Sequence, residues 1–242
     1  MKLHQSLIVF FSIFMLLFAD PTFAATEGQG DNGQNGLVEV DIPQNTLAPY
    51  RERRAGHTWY FGIDYENMIF KNFVSANDSM SWNSIFGSSS IPFIHASLDW
   101  KYNFSGGGIA IGLDAGGGSQ SGASSHSLDI TKYGLGLKYV IDTIWPEPYV
   151  APYVGVNAWQ LMFRDNAGTA SVNKTVGIGY NYTIGLLIQL NWLEDGNSKE
   201  STFNWGIENT YLNVYGTQYT TVSSAFDSST DFLWGAGLKF EF

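Results

Sequence analysis

Between Thr131 and Ile141 the chain reads TKYGLGLKYVI, with Tyr133, Leu135, Leu137, Tyr139 and Ile141 on one parity and Lys132, Gly134, Gly136 and Lys138 on the other. A period of two belongs to a strand and not to a helix. The same alternation recurs over 58–68, where Trp59, Phe61, Ile63 and Tyr65 oppose Tyr60, Gly62, Asp64 and Glu66. Over 91–104, Ile94, Ala96, Leu98, Trp100, Tyr102 and Phe104 oppose His95, Ser97, Asp99, Lys101 and Asn103. Residues 108–116 set Ile109, Ile111, Leu113 and Ala115 against Gly112 and Asp114. The closing stretch sets Phe232, Trp234, Ala236, Leu238, Phe240 and Phe242 against Gly235, Gly237, Lys239 and Glu241.

Three further segments bring the predicted strands to eight. Residues 149–161 carry Val150, Val154, Val156 and Ala158 on one face, and Pro152, which cannot donate a ladder hydrogen bond, places the start of the regular strand near itself. Residues 176–192 offer Tyr180, Tyr182, Ile184, Leu186, Ile188, Leu190 and Trp192. Residues 202–214 offer Phe203, Trp205, Ile207 and Tyr211, with Asn209 breaking the apolar parity.

The connections sort into two sets. Those at 69–90, 117–130, 162–175 and 215–230 are long and rich in Ser, Asn, Gly and Thr, whereas those at 105–107, 142–148 and 193–201 are shorter. Long and short alternate, as in an antiparallel meander with all long loops at one end. The fold class expected is all-β, an eight-stranded antiparallel up-and-down transmembrane β-barrel over 56–242. A lipid-facing sheet must satisfy its own backbone polar groups, so it closes on itself.

Alternation alone leaves two orientations open. In a soluble barrel of lipocalin type the apolar parity points inward around a ligand. In a membrane barrel it points outward, with Trp59, Trp100, Tyr102, Phe104, Tyr180, Trp192, Trp205, Phe240 and Phe242 as interfacial girdles. The membrane orientation is favoured because these aromatics exceed what an eight-stranded interior holds, and because Gly is frequent on the polar parity.

Composition agrees. Of 242 residues, 16% are aromatic and only 14% charged, against roughly 25% charged in soluble domains. Residues 1–24 have a basic start at Lys2, an apolar run and small residues before Ala24, the pattern of a secretory signal peptide. Residues 25–55 are polar and aperiodic and are expected to form a flexible N-terminal arm in the periplasm. The chain has no cysteine, hence no disulfide framework and no thiolate metal site. A net charge of -10 argues against nucleic acid as a partner.

The ending GAGLKFEF resembles the C-terminal signature of Gram-negative outer-membrane β-barrels. PYVGVNAW at 152–159 and YGLGLKY at 133–139 are similar to strand patterns of the small OmpA-like and OmpX-like barrels. The resemblance covers 58–242 and is specific for class rather than activity. It implies an integral outer-membrane location with periplasmic termini, a surround of outer-membrane lipid and lipopolysaccharide, and a barrel-assembly machinery that reads Trp234, Leu238, Phe240 and Phe242. It stops at the barrel, so the peptidoglycan-binding domain of OmpA is not carried over.

Candidate chemistry lies on the polar parity. Asp64, Glu66, His95, Asp99, Lys101, Asp114, Lys132, Lys138, Glu208, Lys239 and Glu241 are expected to pair across a narrow lumen, because isolated charges there are costly. This network reads as a structural polar core rather than an ion path. His95, Ser97 and Asp99 share one face, but same-face neighbours sit about 6–7 Å apart, too far for direct Ser–His activation. No enzyme activity is expected. His57 and His126 lack spaced partners, so no metal site and no cofactor are expected. The glycine runs at 106–108 and 116–118 lack the context of phosphate loops.

Trp82, Phe86 and Tyr219 fall in long connections, where they either anchor an extracellular partner or pack over the barrel mouth. The role expected is structural, or adhesion and recognition through the loops. The rivals are a channel or transporter for small hydrophobic molecules, like OmpW, and a lipid-modifying enzyme.

Overall fold

The structure is a computed structural model that describes residues 49–70, 72–123, 125–193, 204–220 and 230–242. The signal peptide expected at 1–24 lies outside the described residues, as does the arm up to residue 48.

Eight strands follow in order: β1 His57–Met68, β2 Ile91–Phe104, β3 Gly107–Ser121, β4 His126–Val140, β5 Val150–Ala167, β6 Ala170–Gln189, β7 Asn209–Tyr219 and β8 Leu233–Glu241. Each pairs antiparallel with the next, and β8 pairs back onto β1 from Tyr60↔Glu241 to Glu66↔Gly235. Reciprocal bonds between Trp59 and Phe242, 2.9 and 2.8 Å, finish the seam. The expected eight-stranded closed barrel is the fold observed. Both ends of the described chain enter at the same rim, called here the lower end.

The strands are longer than their lipid-type alternation suggests. On β4 the outward residues from Tyr133 to Tyr139 are apolar and exposed, and Leu135 is 54% exposed. Above them the outward residues are Thr131, Asp129 and Ser127, while Leu128 and Ile130 are buried inside. The hydrophobic phase therefore inverts between Ile130 and Tyr133. Phe163 and Leu161 on β5, and Ile91 and Phe93 on β2, show the same inversion. Hydrocarbon rewards apolar groups outside the barrel, and water above it rewards them inside. β3 to β6 thus continue upward as a wall with a polar outer face.

The long connections expected at 117–130 and 162–175 are accordingly mostly strand. They shrink to turns at 122–125 and 168–169. The connection expected to be short at 193–201 spans 190–208, because β7 starts at Asn209 rather than at 202. Strict alternation of long and short joints does not hold.

β7 also corrects the seventh strand's parity. Asn209, Tyr211, Asn213, Tyr215, Thr217 and Tyr219 all face inward and are buried, so Asn209 is in phase and Tyr211 is not lipid-facing. Trp205 lies before the strand and is 76% exposed.

The connection 69–90 forms a lid over the upper mouth. It holds a single helical turn, α2, at Trp82–Ile85, preceded in the chain by a turn α1 at Tyr50–Arg53. Trp82, Ile85 and Phe86, at i, i+3 and i+4, bury one face of that turn against Phe70, Phe73, Leu128, Trp159 and Phe163. Phe73 meets Trp82 edge-on at 5.9 Å and 89°. The lid is pinned by Ser75 Oγ and the Ala76 N–H, which donate to Asp165 Oδ2 at 2.9 and 2.8 Å.

Candidate functional site: the lumen and its two closures

At the lower end, α1 inserts Tyr50 into the barrel until it is fully buried. Its hydroxyl bonds Glu241 Oε1 at 2.6 Å and Asp142 Oδ2 at 3.3 Å. Burial, and next the Glu241 carboxylate, hold that hydroxyl well above its ordinary pKa, so it remains a donor. Lys101 Nζ donates to Glu241 Oε1, Asp142 Oδ2 and Tyr60 Oη at 2.7 Å each, and to Tyr50 Oη at 3.0 Å. Arg54 pairs with Asp142 Oδ1 at 2.8 Å and also donates to the Phe104 carbonyl. Asn209 and Tyr211 complete Glu241, reaching Oε2 at 2.8 and 3.0 Å. Two carboxylates and two cations are thus buried together with their hydrogen-bonding capacity met, the condition under which buried charge is tolerated. The last residues of the expected arm are therefore not loose: 50–54 form the floor of the barrel.

Midway up, Asp99 receives Lys138 at 2.8 Å and Lys239 at 2.7 Å. Asp64 accepts from Asn213 Nδ2 at 2.6 Å, and Tyr153 donates to Asn213 Oδ1 at 2.9 Å. Inward glycine makes room for these side chains. A Cβ on Gly112 would overlap the Asp99 carboxylate, and one on Gly136 would overlap the Asn157 amide. Higher still, Glu66 accepts from Tyr219 Oη at 2.6 Å, and Lys132 lies 3.3 Å from Asp114 and 3.9 Å from Glu66. His95 Nε2 and Tyr215 Oη share a bond of 2.9 Å.

Of the sequence-predicted network, Asp64, Glu66, His95, Asp99, Lys101, Asp114, Lys132, Lys138, Lys239 and Glu241 are all brought to the axis, as their parity requires. Glu208 is not among them. It precedes β7 and pairs with Arg53 of α1 at the rim. Sequence reasoning missed Tyr50, Arg54 and Asp142, and placed Tyr211 and Tyr215 elsewhere. Asp142 had a readable signal, since it continues the inward parity of Lys138 and Val140 by one step past the strand end.

Trp82, Phe86 and Tyr219 are not exposed contacts. Trp82 is 1% exposed at the heart of the lid, Phe86 packs on it at 4.7 Å, and Tyr219 lies inside β7 on Lys132 and Glu66. Trp82 and Phe86 pack over the mouth, whereas Tyr219 is a lumen residue of β7 and fits neither reading. Trp234 and Leu238 are exposed on the outer face of β8, with Phe240 and Phe242 half-buried along the same line.

His95 and Ser97 make no bond with each other: His95 is engaged by Tyr215, and Ser97 Oγ has no partner within the protein. His57 packs beside Trp100, while His126 Nε2 meets Asp78 Oδ2 at 2.7 Å on the lid. The Met80 N–H, donating to Asp78, is the main cause holding that carboxyl below its usual range. Among the described residues no group of three or more His, Asp and Glu is arranged for a metal ion.

An apolar exterior belt, a charged axis and a ring without edges define a membrane-spanning β-barrel. No protein-family model matches the chain, and no curated protein matches it. Solved structures similar to it include Neisserial surface protein A, at 13% identity over 78% of this chain and 98% of that one, with a TM-score of 0.46. Ail, the attachment invasion locus protein of Yersinia pestis, is 13% identical over 78% of this chain and all of that one, 100%, at a TM-score of 0.44. The N-terminal β-barrel domain of Pseudomonas aeruginosa OprF is 10% identical over 77% and 98%, at 0.41. At these scores the barrel assignment rests on the strand pairing and the surface described above.

Proposed function

We propose that the protein is an integral outer-membrane barrel that presents a built surface outside the cell for contact with a partner, conducts no solute and performs no chemistry. The observation that carries this reading is the closure of the lumen at both ends, by Tyr50 with Arg54 below and by the lid above, while strands β3 to β6 rise beyond the belt. A channel or a transporter for hydrophobic molecules needs an open or apolar lumen; this one is charged and filled. A lipid-modifying enzyme needs its nucleophile at the rim; Ser97 is buried at the axis.

In this reading the lid and wall face outward and both chain ends lie in the periplasm. The belt sits in phospholipid and lipopolysaccharide, and Trp234, Leu238, Phe240 and Phe242 on β8 are available to the barrel-assembly machinery. The outward surface includes exposed Val74 and Met80 on the lid and exposed Arg164, Asn173 and Lys174 on the β5–β6 hairpin. Deleting 69–90 would uncover the lid core, so point substitutions are the better probe. Cells displaying the protein should bind host-cell or extracellular-matrix material more than cells lacking it, and Val74→Glu with Met80→Glu, or Arg164→Glu with Lys174→Glu, should reduce that binding severalfold. Planar bilayers containing the purified protein should show no steady conductance. Steady ion currents, or binding indifferent to both double substitutions, would defeat the proposal.

A further inference from the structure

Between floor and lid the lumen keeps a polar cavity of ≈ 40 Å³, room for about three waters at roughly 10–15 Å³ each. Three buried polar atoms on its wall have no partner within the protein, Ser97 Oγ, Asn181 Oδ1 and His95 Nδ1, and Asp114 Oδ2 beside them has only the Lys132 ammonium at 3.3 Å. Ser97 and Asn181 are 5% and 2% exposed. Ser97 stands directly across the β2–β3 ladder from Asp114, and His95 is its neighbour on the same face. Asn181 commits its amide Nδ2 to Thr217 and Thr183 at 2.8 and 3.2 Å, which leaves its oxygen to accept. Two of the three unmet atoms are therefore oxygens that can accept or coordinate, and the Asp114 carboxylate adds further acceptor capacity.

The charges around the cavity do not balance. Asp99 takes both Lys138 and Lys239, and Asp64 next to them is held by an amide alone. These two carboxylates and two ammoniums cancel. Lys132, by contrast, serves both Asp114 and Glu66, so one negative charge is left over in the lumen between floor and lid. An uncompensated charge in such a place is costly unless a counter-charge joins it.

We propose that the cavity is a binding site for one monovalent alkali cation, sodium or potassium, held with its remaining waters beside Asp114, Ser97 and Asn181. Hard cations take oxygen ligands, and neutral hydroxyl and amide oxygens with a single spare carboxylate charge match a singly charged ion. A divalent ion would need two uncompensated negative charges, and the balance of carboxylates against lysines leaves one. An anion is repelled by the excess negative charge. The ion is occluded rather than conducted, since Tyr50 and Lys101 close the way below and Trp82 and Phe73 close it above. Its role is to complete the axis.

The test uses the purified full chain in detergent. Dialysed at equal ionic strength into sodium, potassium or N-methyl-D-glucamine chloride, the protein should lose its heat-resistant gel mobility several °C lower in the bulky organic cation. Crystals grown in rubidium chloride should show a single anomalous peak inside the barrel beside Asp114. Ser97→Ala and Asp114→Asn should abolish most of the cation-specific shift. If Asp114→Asn does not assemble, Ser97→Ala carries the comparison alone. Equal transitions in all three salts with no anomalous peak in the lumen, leaving water alone or a shared proton to balance the charge, would overturn the proposal.

Discussion

Tyr50 Oη lies 2.6 Å from Glu241 Oε1, across 191 positions of sequence, so a residue ahead of the first strand and a residue of the last strand meet at the axis. This contact ties the arm to the seam at which β1 and β8 close. Tyr50→Phe removes the hydroxyl while keeping the ring, and it should cost about 1–3 kcal/mol, the range for a hydrogen bond to a buried charged group. Tyr50→Ala also opens a cavity and should cost about 3–5 kcal/mol. Urea unfolding in detergent checks both, with the larger loss expected for Ala. Equal stability in all three forms would show that the floor is not part of the folded core.

Lys101 stands between the two lower carboxylates with no exposed surface. Lys101→Met takes the buried cation away from Glu241 and leaves Arg54 as the cation beside Asp142, and should destabilise by about 3–5 kcal/mol. Adding Glu241→Gln should recover part of that loss, because the stranded charge goes with it. A double mutant whose cost equals the sum of the two single costs would contradict the coupling.

Trp82 carries the lid and packs on the barrel at its upper mouth. Trp82→Ala should therefore loosen 69–90 locally, by about 3–5 kcal/mol, without opening the ring below. Limited proteolysis of cells should cut the connection in the variant and not in the parent, while both keep heat-resistant mobility on gels. Val74, exposed on the same lid, supplies the control: Val74→Ser should change neither readout.

The alternation in TKYGLGLKYVI or GAGLKFEF could be read as a membrane strand because hydrocarbon imposes one sign of pattern on every residue it touches. Legibility failed where the solvent changed. Leu128 and Ile130 continue β4 with the opposite phase, and a Ser- and Gly-rich outer face then looks like a loop. It also failed where one residue type serves two environments: Tyr211, Tyr215 and Tyr219 bury rings like lipid-facing aromatics, yet each hydroxyl finds a lumen carboxylate or histidine. The regular insertion of Asn209, Asn213 and Thr217 between them was the available signal, since such amides and hydroxyls belong with the polar parity. The pairing partners of the network had no local signature at all. Lys239 and Asp99 are 140 positions apart, and only closure of the ring brings them within 2.7 Å.

The inversion of phase along β4 can be measured directly, because the native chain has no cysteine and single spin labels need no background removal. Labels at Leu135 and Leu137 should be relaxed by oxygen, which concentrates in acyl chains, and be shielded from a water-soluble nickel chelate. Labels at Ser127 and Asp129, on the same outward parity, should behave the opposite way. The crossover should fall between Thr131 and Tyr133, where the exterior turns from hydroxyl to aromatic. From Tyr133 to Val140 the strand, continued one residue further by the Ile141 N–H bonded to the Pro152 carbonyl, then has the length, about 9–11 residues, that a tilted β-strand needs to cross hydrocarbon. Uniform oxygen access from Ser127 to Leu137 would place the whole wall in lipid, and the extracellular surface inferred from it would vanish. Chelate access throughout would remove the membrane belt itself.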